Sequence, residues 1–220
     1  MNDSSLSLPH CVVAIDGPAA SGKSSVARLV ARRLGFLYVN TGAMYRAVTW
    51  LVVQRGVNPA DTAAVAALLE ATPMEFGAAN NESTIRIEGV DPSPYLSEPE
   101  VNANVSAVAA IPKVRQVLVA RQREYVHEYD LVMEGRDIGT VVFPGTPLKF
   151  YIDASPEVRA KRRALQGFHD DLAARDKTDS ARSDSPLKVA DGAEIIDSSN
   201  LTLEGVVDAV VERLKLKGAV

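Results

Sequence analysis

The strongest constraint on the fold is a glycine-rich loop near the N-terminus. Residues 17–24 read GPAASGKS and satisfy the phosphate-binding pattern G-x-x-x-x-G-K-[ST]. An apolar run, residues 12–15, precedes this loop, and a helical pattern, residues 25–31, follows it. At such a strand-to-helix turn, backbone N–H groups and the positive end of the helix dipole point at the same anion. The sequence therefore predicts a binding site for a nucleoside triphosphate.

The residues of the loop have separate predicted tasks. Lys23 is expected to reach the β- and γ-phosphates, and the Ser24 hydroxyl is expected to bind Mg²⁺. We expect the Lys23 side chain to be exposed to solvent in the absence of nucleotide. The residues predicted to bind ATP are Gly17, Pro18, Ala19, Ala20, Ser21, Gly22, Lys23, Ser24 and Ser25.

The composition narrows the classes of partner. A chain of 220 residues, 46% hydrophobic and 24% charged, is typical of one substantial α/β domain. Its net charge of −4 argues against nucleic acid polymers and anionic membranes as partners, and no apolar run approaches the ~20 residues of a membrane span. The single cysteine suits a reducing cytoplasm. The polar residues 1–10 lack the features of a signal peptide and are expected to form a disordered tail.

Short apolar runs separated by helical patterns predict a P-loop α/β/α fold of three layers. The five runs indicate a five-stranded, mostly parallel sheet covered on both faces, with strands at residues 11–15, 36–39, 131–134, 148–153 and 194–197. Ligands of such sheets bind outside the carboxyl ends of the strands. The phosphate-binding loop, Thr41, residues 134–137 and Asp153 all fall at those ends.

The pattern of apolar and polar residues changes between the second and third of these strands. Residues 61–69 have a helical pattern, and residues 74–76 and 84–88 flank Asn80-Asn81 as in a β-hairpin. This pattern predicts a small lobe, about residues 57–112, inserted into a single domain. Outside the lobe, Thr202 is expected to cap the last helix, Ser155-Pro156 to begin another, and Thr41 to cap the helix that contains Tyr45.

Arginines surround the predicted site. The N-K-x-D string of GTPases and the L-S-G-G-Q string of transporter ATPases are both missing. Three arginines at positions i, i+3 and i+4 of one helix repel each other unless an anion lies between them. A phosphoryl donor and a phosphorylated acceptor would supply such anions. The arginines in question are Arg46, Arg115, Arg136, Arg159, Arg162, Arg163, Arg175 and Arg182.

Several further segments are typical of one family. The most specific segment is residues 134–144, EGRDIGTVVFP. The other segments are residues 15–18 (IDGP), residues 41–46 (TGAMYR), residues 104–115 and residues 175–182. On these segments, the sequence from about residue 11 to the C-terminus resembles bacterial cytidylate kinases, of the nucleoside monophosphate kinase superfamily of P-loop kinases. The resemblance implies that the inserted lobe binds the nucleoside monophosphate and that residues 156–185 form a short lid over ATP.

The resemblance also implies roles for individual residues. Ser106, Arg115 and Asp137 would bind the cytosine base, and Arg175 and Asp179 would bind the ribose hydroxyls. Lys23 and the lid arginines Arg159 and Arg163 would act on the transferred phosphoryl group. The residues implied around the monophosphate are Thr41, Tyr45, Arg46, Arg136 and Arg182, of which Arg136 and Arg182 would also be catalytic.

Two departures from the family pattern bear on these expectations. Glu134 stands where other members carry aspartate, so that we expect its carboxylate to contact Mg²⁺ through water and not directly. The lid segment between Arg163 and Arg175 is about half the length expected from the larger enzymes of the family.

The resulting hypothesis is a monomeric, cytoplasmic (d)CMP kinase of pyrimidine nucleotide metabolism, with ATP as phosphoryl donor and Mg²⁺ as cofactor. One alternative is another small-molecule P-loop kinase, acting on UMP or on a cofactor precursor. A second alternative, from a different class, is a nucleotide-dependent switch that hydrolyses ATP slowly. The switch leaves the arginine cluster and Asp137 without a role.

Overall fold

A computed structural model describes residues 10–165, 167, 172–182 and 185–220, except for the side chain of Arg175. Residues 1–9 of the predicted tail therefore lie outside the described part of the chain. The strands are β1 (Val12–Asp16), β2 (Leu37–Asn40), β3 (Met74–Ala79), β4 (Glu82–Ile87), β5 (Leu131–Gly135), β6 (Lys149–Asp153) and β7 (Glu194–Asp197). The α-helices are α1 (Lys23–Leu34), α2 (Thr41–Gln54), α3 (Thr62–Ala71), α4 (Pro99–Ala109), α5 (Pro112–Glu124), α6 (Pro156–Leu165), α7 (Leu172–Ser180) and α8 (Leu203–Leu216).

The chain divides into two compact units. The first, called the core unit here, consists of Met1–Val39 and Arg123–Val220, and the second, called the inserted unit, is Asn40–Gln122. The predicted lobe, about residues 57–112, falls within the inserted unit, and its role remains a prediction.

The sheet is mostly parallel, as predicted, but the predicted number of strands was wrong. Among the described residues, seven strands lie in the order β3-β4-β2-β5-β1-β6-β7, where five were expected. All five predicted strands form, and the two additional strands are the antiparallel hairpin β3–β4. The hairpin was assigned to the lobe because its strands alternate only weakly between apolar and polar residues, a pattern that does not show which sheet a strand joins.

The buried strand β1 is the centre of the core unit. It pairs in parallel with β5, from Val12↔Leu131 to Asp16↔Gly135, and also with β6, and all five of its residues are buried. Helices α1 and α8 pack together and bury apolar side chains in one cluster with this part of the sheet. Full burial of each valine or leucine contributes about 1.5–3 kcal/mol. The cluster therefore holds the carboxyl end of β1, and the loop that follows it, in a fixed place.

Local sequence signals explain the ends of several helices. The Thr202 hydroxyl accepts a hydrogen bond from the Gly205 N–H (3.1 Å), and the Ser155 hydroxyl accepts one from the Val158 N–H (3.3 Å), as expected. The cap expected at Thr41 was wrong. Asn40 at the end of β2 keeps an extended backbone, and its side-chain oxygen accepts from the Ala43 N–H at 2.9 Å, so that Thr41 is already the first residue of α2.

The inserted unit has its own small core. Ala47 and Leu51 of α2 pack with Ile85 and Ile87 of β4. Asn80 and Asn81 join β3 to β4 with positive φ angles of 53° and 59°, the turn geometry that an Asn-Asn pair favours. In the described part of the chain, no helix is both long and apolar enough to cross a membrane.

Candidate active site

The phosphate-binding loop connects the end of β1 to the start of α1, as the sequence predicted. A Cβ atom at Gly17 would lie 2.1 Å from the Ile152 carbonyl oxygen, so only glycine lets the loop leave the sheet at this point. Gly22 has φ 91° immediately before the first residue of the helix, a conformation that side chains oppose. The two glycines fix the turn that directs the loop amides toward the helix N-terminus.

The Lys23 side chain lies within the loop. Its ammonium group donates a hydrogen bond to the Pro18 carbonyl oxygen at 3.0 Å, and the residue is only 7% exposed. The expectation of a solvent-exposed lysine was therefore wrong. The hydrogen bond to Pro18 therefore keeps the ammonium charge beside the loop backbone.

Ser24 and Glu134 form an oxygen pair at the same place. The Ser24 hydroxyl donates to Glu134 Oε1 at 2.8 Å, and the Glu134 carboxylate is buried at the end of β5. Hydroxyl and carboxylate oxygens are the ligands that Mg²⁺ takes in nucleotide sites. The donor set therefore fits this ion, with Glu134 within reach of an ion bound to the Ser24 oxygen.

Asp16, the last residue of β1, is a buried carboxylate beneath the site. It accepts hydrogen bonds from the N–H groups of Ile138 and Gly139, both at 2.8 Å. Burial raises the pKa of this carboxyl to about 7, and the Asp137 carboxylate adds to the rise, whereas the two N–H groups and Lys23 oppose it. Asp16 thus links the strand before the loop to the π-helical turn Ile138–Val142, which directly follows Asp137.

An arginine pair lies on one carboxylate beside the loop. Arg136 donates from Nε to Asp179 Oδ2 at 2.8 Å and from a terminal nitrogen to the Gly17 carbonyl at 2.9 Å. Arg182 pairs with the other oxygen of Asp179, which is 2% exposed. The structure thus brings together three residues that the family resemblance assigns to substrate.

Two arginines of α6 also donate hydrogen bonds to the loop. Arg159 donates to the Ala19 carbonyl at 3.2 Å and pairs with Asp176 of α7 at 2.5 Å. Arg162 donates to the Ser21 carbonyl at 3.1 Å, and Arg163 is buried on the same helix. Arg159 and Arg162 therefore hold loop carbonyls in this state.

The inserted unit contains the other predicted substrate residues. The Arg115 guanidinium lies over the Tyr45 ring, 5.6 Å from its centroid, and both residues are buried. Thr41 is buried at the start of α2, whereas Arg46 on α2 and Ser106 on α4 are half-buried. The arrangement places a cation over an aromatic ring within this unit. In the core unit, Asp137 is buried and the side chain of Arg175 lies outside the described residues.

Comparison with known proteins shows the family of this chain. The profile of the family described as Cytidylate kinase matches residues 13–216. A cytidylate kinase from Desulforamulus reducens is 45% identical over 92% of this chain and 96% of its own length. The chain belongs to the cytidylate kinase family.

Two further comparisons mark the range of this similarity. A bifunctional pantoate ligase/cytidylate kinase from Prochlorococcus marinus is 44% identical over 94% of this chain, which spans 43% of that protein's length. A gluconokinase structure from Sinorhizobium meliloti, 14% identical, covers 96% of this chain and 95% of its own with a TM-score of 0.50. The last comparison supports the P-loop kinase fold alone.

Sequence reasoning missed three polar residues of this cytidylate kinase family member. Asp16, Asp176 and Ser198 had been given no role, yet each makes hydrogen bonds to the loop or to the segment after β5. Asp16 and Ser198 lie at the carboxyl ends of β1 and β7, where the sheet-edge rule could have found them. Asp176 lies in the matching segment 175–182, but the sequence did not show that α7 contacts the loop.

Proposed function

We propose that the protein transfers the γ-phosphoryl group of ATP to CMP, and to dCMP, giving ADP and CDP or dCDP. The observation that carries the proposal is full-length membership of the cytidylate kinase family together with a phosphate-binding loop in the described core unit. The proposal includes a monomeric protein that acts in the cytoplasm, in pyrimidine nucleotide metabolism.

Transfer between two phosphates needs charge neutralisation more than acid–base chemistry. The attacking oxygen of CMP is already anionic, so catalysis depends on positioning and on stabilising the charge of the transferred group. Lys23, Arg136 and Arg159 are each bonded to a carbonyl of the loop, an arrangement that leaves them beside the phosphate cradle. We assign Lys23, Arg136, Arg159, Arg163 and Arg182 to the phosphoryl group.

Ser24 would hold Mg²⁺, with Glu134 contacting the ion through water. The hydrogen bond between these two side chains supports the assignment, because a buried carboxylate beside the hydroxyl favours a cation there. When bound, Mg²⁺ neutralises part of the charge on the phosphates of ATP. The loop amides and Lys23 orient the same phosphates through this chain's own groups.

The acceptor side follows from family resemblance and from base chemistry. Ser106 and Asp137 would accept from the exocyclic amine of cytosine, and Arg115 would donate to its O2 and N3. Uracil would direct a carbonyl oxygen at Asp137, a mismatch that costs about 1–3 kcal/mol. We assign the monophosphate to Thr41, Tyr45, Arg46, Arg136 and Arg182, and the ribose to Arg175 and Asp179. The ion pairs of Asp179 with Arg136 and Arg182 support a shared binding role.

The test is acceptor-dependent release of ADP from ATP·Mg²⁺, with CMP, dCMP, UMP and AMP offered in parallel. Strong stimulation by CMP and dCMP alone is the expected result. Stimulation by UMP alone would favour a UMP kinase. Stimulation by none of the four nucleotides would favour a kinase of another acceptor or a slow ATPase. Lys23→Ala is the inactive reference, and Lys215→Ala, at an exposed lysine of α8, is the matched control.

A further inference from the structure

The carbonyl groups of the phosphate-binding loop are held by cationic side chains. Four carbonyls accept such hydrogen bonds, those of Gly17, Pro18, Ala19 and Ser21. The first three accept from Arg136, Lys23 and Arg159, which the proposed function assigns to phosphates. The fourth accepts from Arg162, to which that function gives no task.

Arg162 is fixed by a second set of contacts. One terminal nitrogen donates to the Ser21 carbonyl at 3.1 Å and to the Ser198 hydroxyl oxygen at 3.0 Å. The other terminal nitrogen donates to the Ser198 carbonyl at 2.8 Å. The guanidinium therefore bridges the loop and the residue that follows β7.

Ser198 anchors this bridge to the sheet. The residue is 3% exposed, and its N–H donates to the Asp153 carbonyl of the neighbouring strand β6 at 2.8 Å. Its hydroxyl lies 2.9 Å from the Ser21 carbonyl and 2.8 Å from the Asp153 carbonyl, either of which can accept its proton. Ser198 thus connects the loop to a rigid part of the fold.

The peptide that receives these bonds is followed by a glycine. Gly22 lacks a Cβ atom and has φ 91°, so that rotation of the Ser21–Gly22 peptide meets little steric resistance. In a trans peptide the C=O and N–H point in opposite directions. Holding the Ser21 oxygen therefore also fixes the direction of the Gly22 N–H, at the start of the anion-binding helix terminus.

We propose that Arg162 and Ser198 form a clamp that holds the Ser21–Gly22 peptide in its phosphate-binding orientation. They are positioning residues, since their bonds to the loop go to its backbone. The inference rests on the proposed function for its effect on catalysis, but the clamp itself is a property of the nucleotide-free protein. Its loss lets the peptide sample orientations in which the Gly22 N–H no longer faces the phosphates.

The experiment compares Arg162→Gln and Ser198→Ala with Lys161→Gln, a control at an exposed cation of the same helix. The first measurement is the ¹⁵N–¹H signal of the Gly22 amide in nucleotide-free protein. Both clamp variants should shift or broaden this signal, and the control should not. An unchanged Gly22 signal in both variants would overturn the clamp. This readout does not depend on the identity of the acceptor.

The second measurement is steady-state kinetics with ATP and CMP. Arg162→Gln should raise the KM for ATP about tenfold and Ser198→Ala about threefold, with the KM for CMP unchanged. A kinetic effect of Arg162→Gln with no effect of Ser198→Ala and no change at Gly22 would indicate direct nucleotide contact and overturn the clamp. Should Arg162→Gln fail to fold, Ser198→Ala decides. Absence of CMP-dependent turnover in the unmodified protein would refute the proposed function, whereas the Gly22 signal would still judge the clamp.

Discussion

The buried carboxyl of Asp16 makes stability depend on pH in a direction unusual for an aspartate. Most folded aspartates have a lowered pKa, so that acid destabilises the protein. Burial instead raises the pKa of Asp16 from 3.8 to about 7. Asp16→Asn keeps the shape of the side chain, removes the titration, and leaves one oxygen to accept from the Ile138 or Gly139 N–H.

The size and sign of the effect follow from linkage. Between the unfolded pKa of 3.8 and the folded pKa of about 7, the folded protein binds a proton at Asp16 that the unfolded chain does not. The resulting stabilisation is fully present below pH 3.8, declines as the pH rises, and is lost above about pH 7. From pH 6 to pH 8 the free energy of unfolding of the unmodified protein should fall by about 1.4 kcal/mol relative to that of Asp16→Asn. This corresponds to a tenfold change in the unfolding equilibrium constant.

Urea unfolding of both proteins at pH 6, 7 and 8, followed by circular dichroism at constant ionic strength, measures this difference. The altered hydrogen bonding of the variant changes its free energy of unfolding by the same amount at every pH. This constant difference cancels when the three pH values are compared. Asp191→Asn, at an exposed position, is the matched control. A difference between the unmodified protein and Asp16→Asn that stays constant from pH 6 to pH 8 would refute the reasoning.

Three further substitutions test the site. Lys23→Ala should lower kcat by about 10²–10³-fold, because it removes a donor to the transferred phosphoryl group. In the structure the substitution also removes the hydrogen bond to the Pro18 carbonyl. A near-normal kcat in the coupled assay would contradict the assignment of the loop to the phosphates of ATP. Arg136→Ala should lower kcat and raise the KM for CMP. An effect confined to the KM for ATP would show that Arg136 does not bind the monophosphate. Asp137→Asn should narrow the CMP/UMP ratio of kcat/KM, because an amide can donate to O4 of uracil; an unchanged ratio removes Asp137 from base reading.

The parts of the fold that depend on local sequence were predictable. The phosphate-binding loop, the five predicted strands and the caps at Ser155 and Thr202 are each encoded within a few neighbouring residues. The number of strands in the sheet was not predictable. The sequence indicates the hairpin β3–β4, but packing decides whether the hairpin joins the sheet. The cap at Asn40 was missed since both Asn40 and Thr41 can serve, and only the end of β2 selects between them.

Within the candidate site, the proximity of some residues was easier to predict than the conformation of their side chains. The segments that match the family contain Arg136, Asp179 and Arg182. These three residues form ion pairs with one another in the core unit, through the Asp179 carboxylate. The burial of Lys23 was missed because the sequence does not show that its stem folds back onto the Pro18 carbonyl. Contacts between distant segments, such as Arg162 with Ser198, depend on the order of the strands and are invisible in either segment alone.

The central claim is that the phosphoryl group passes from ATP to CMP and not to water. The most direct measurement follows the label of ATP carrying ³²P at the γ-position, with CMP and Mg²⁺ present, and separates the products by chromatography. We expect label in the β-phosphate of CDP, in equal amount to the ADP formed. Label recovered as inorganic phosphate, with no labelled CDP, would contradict it.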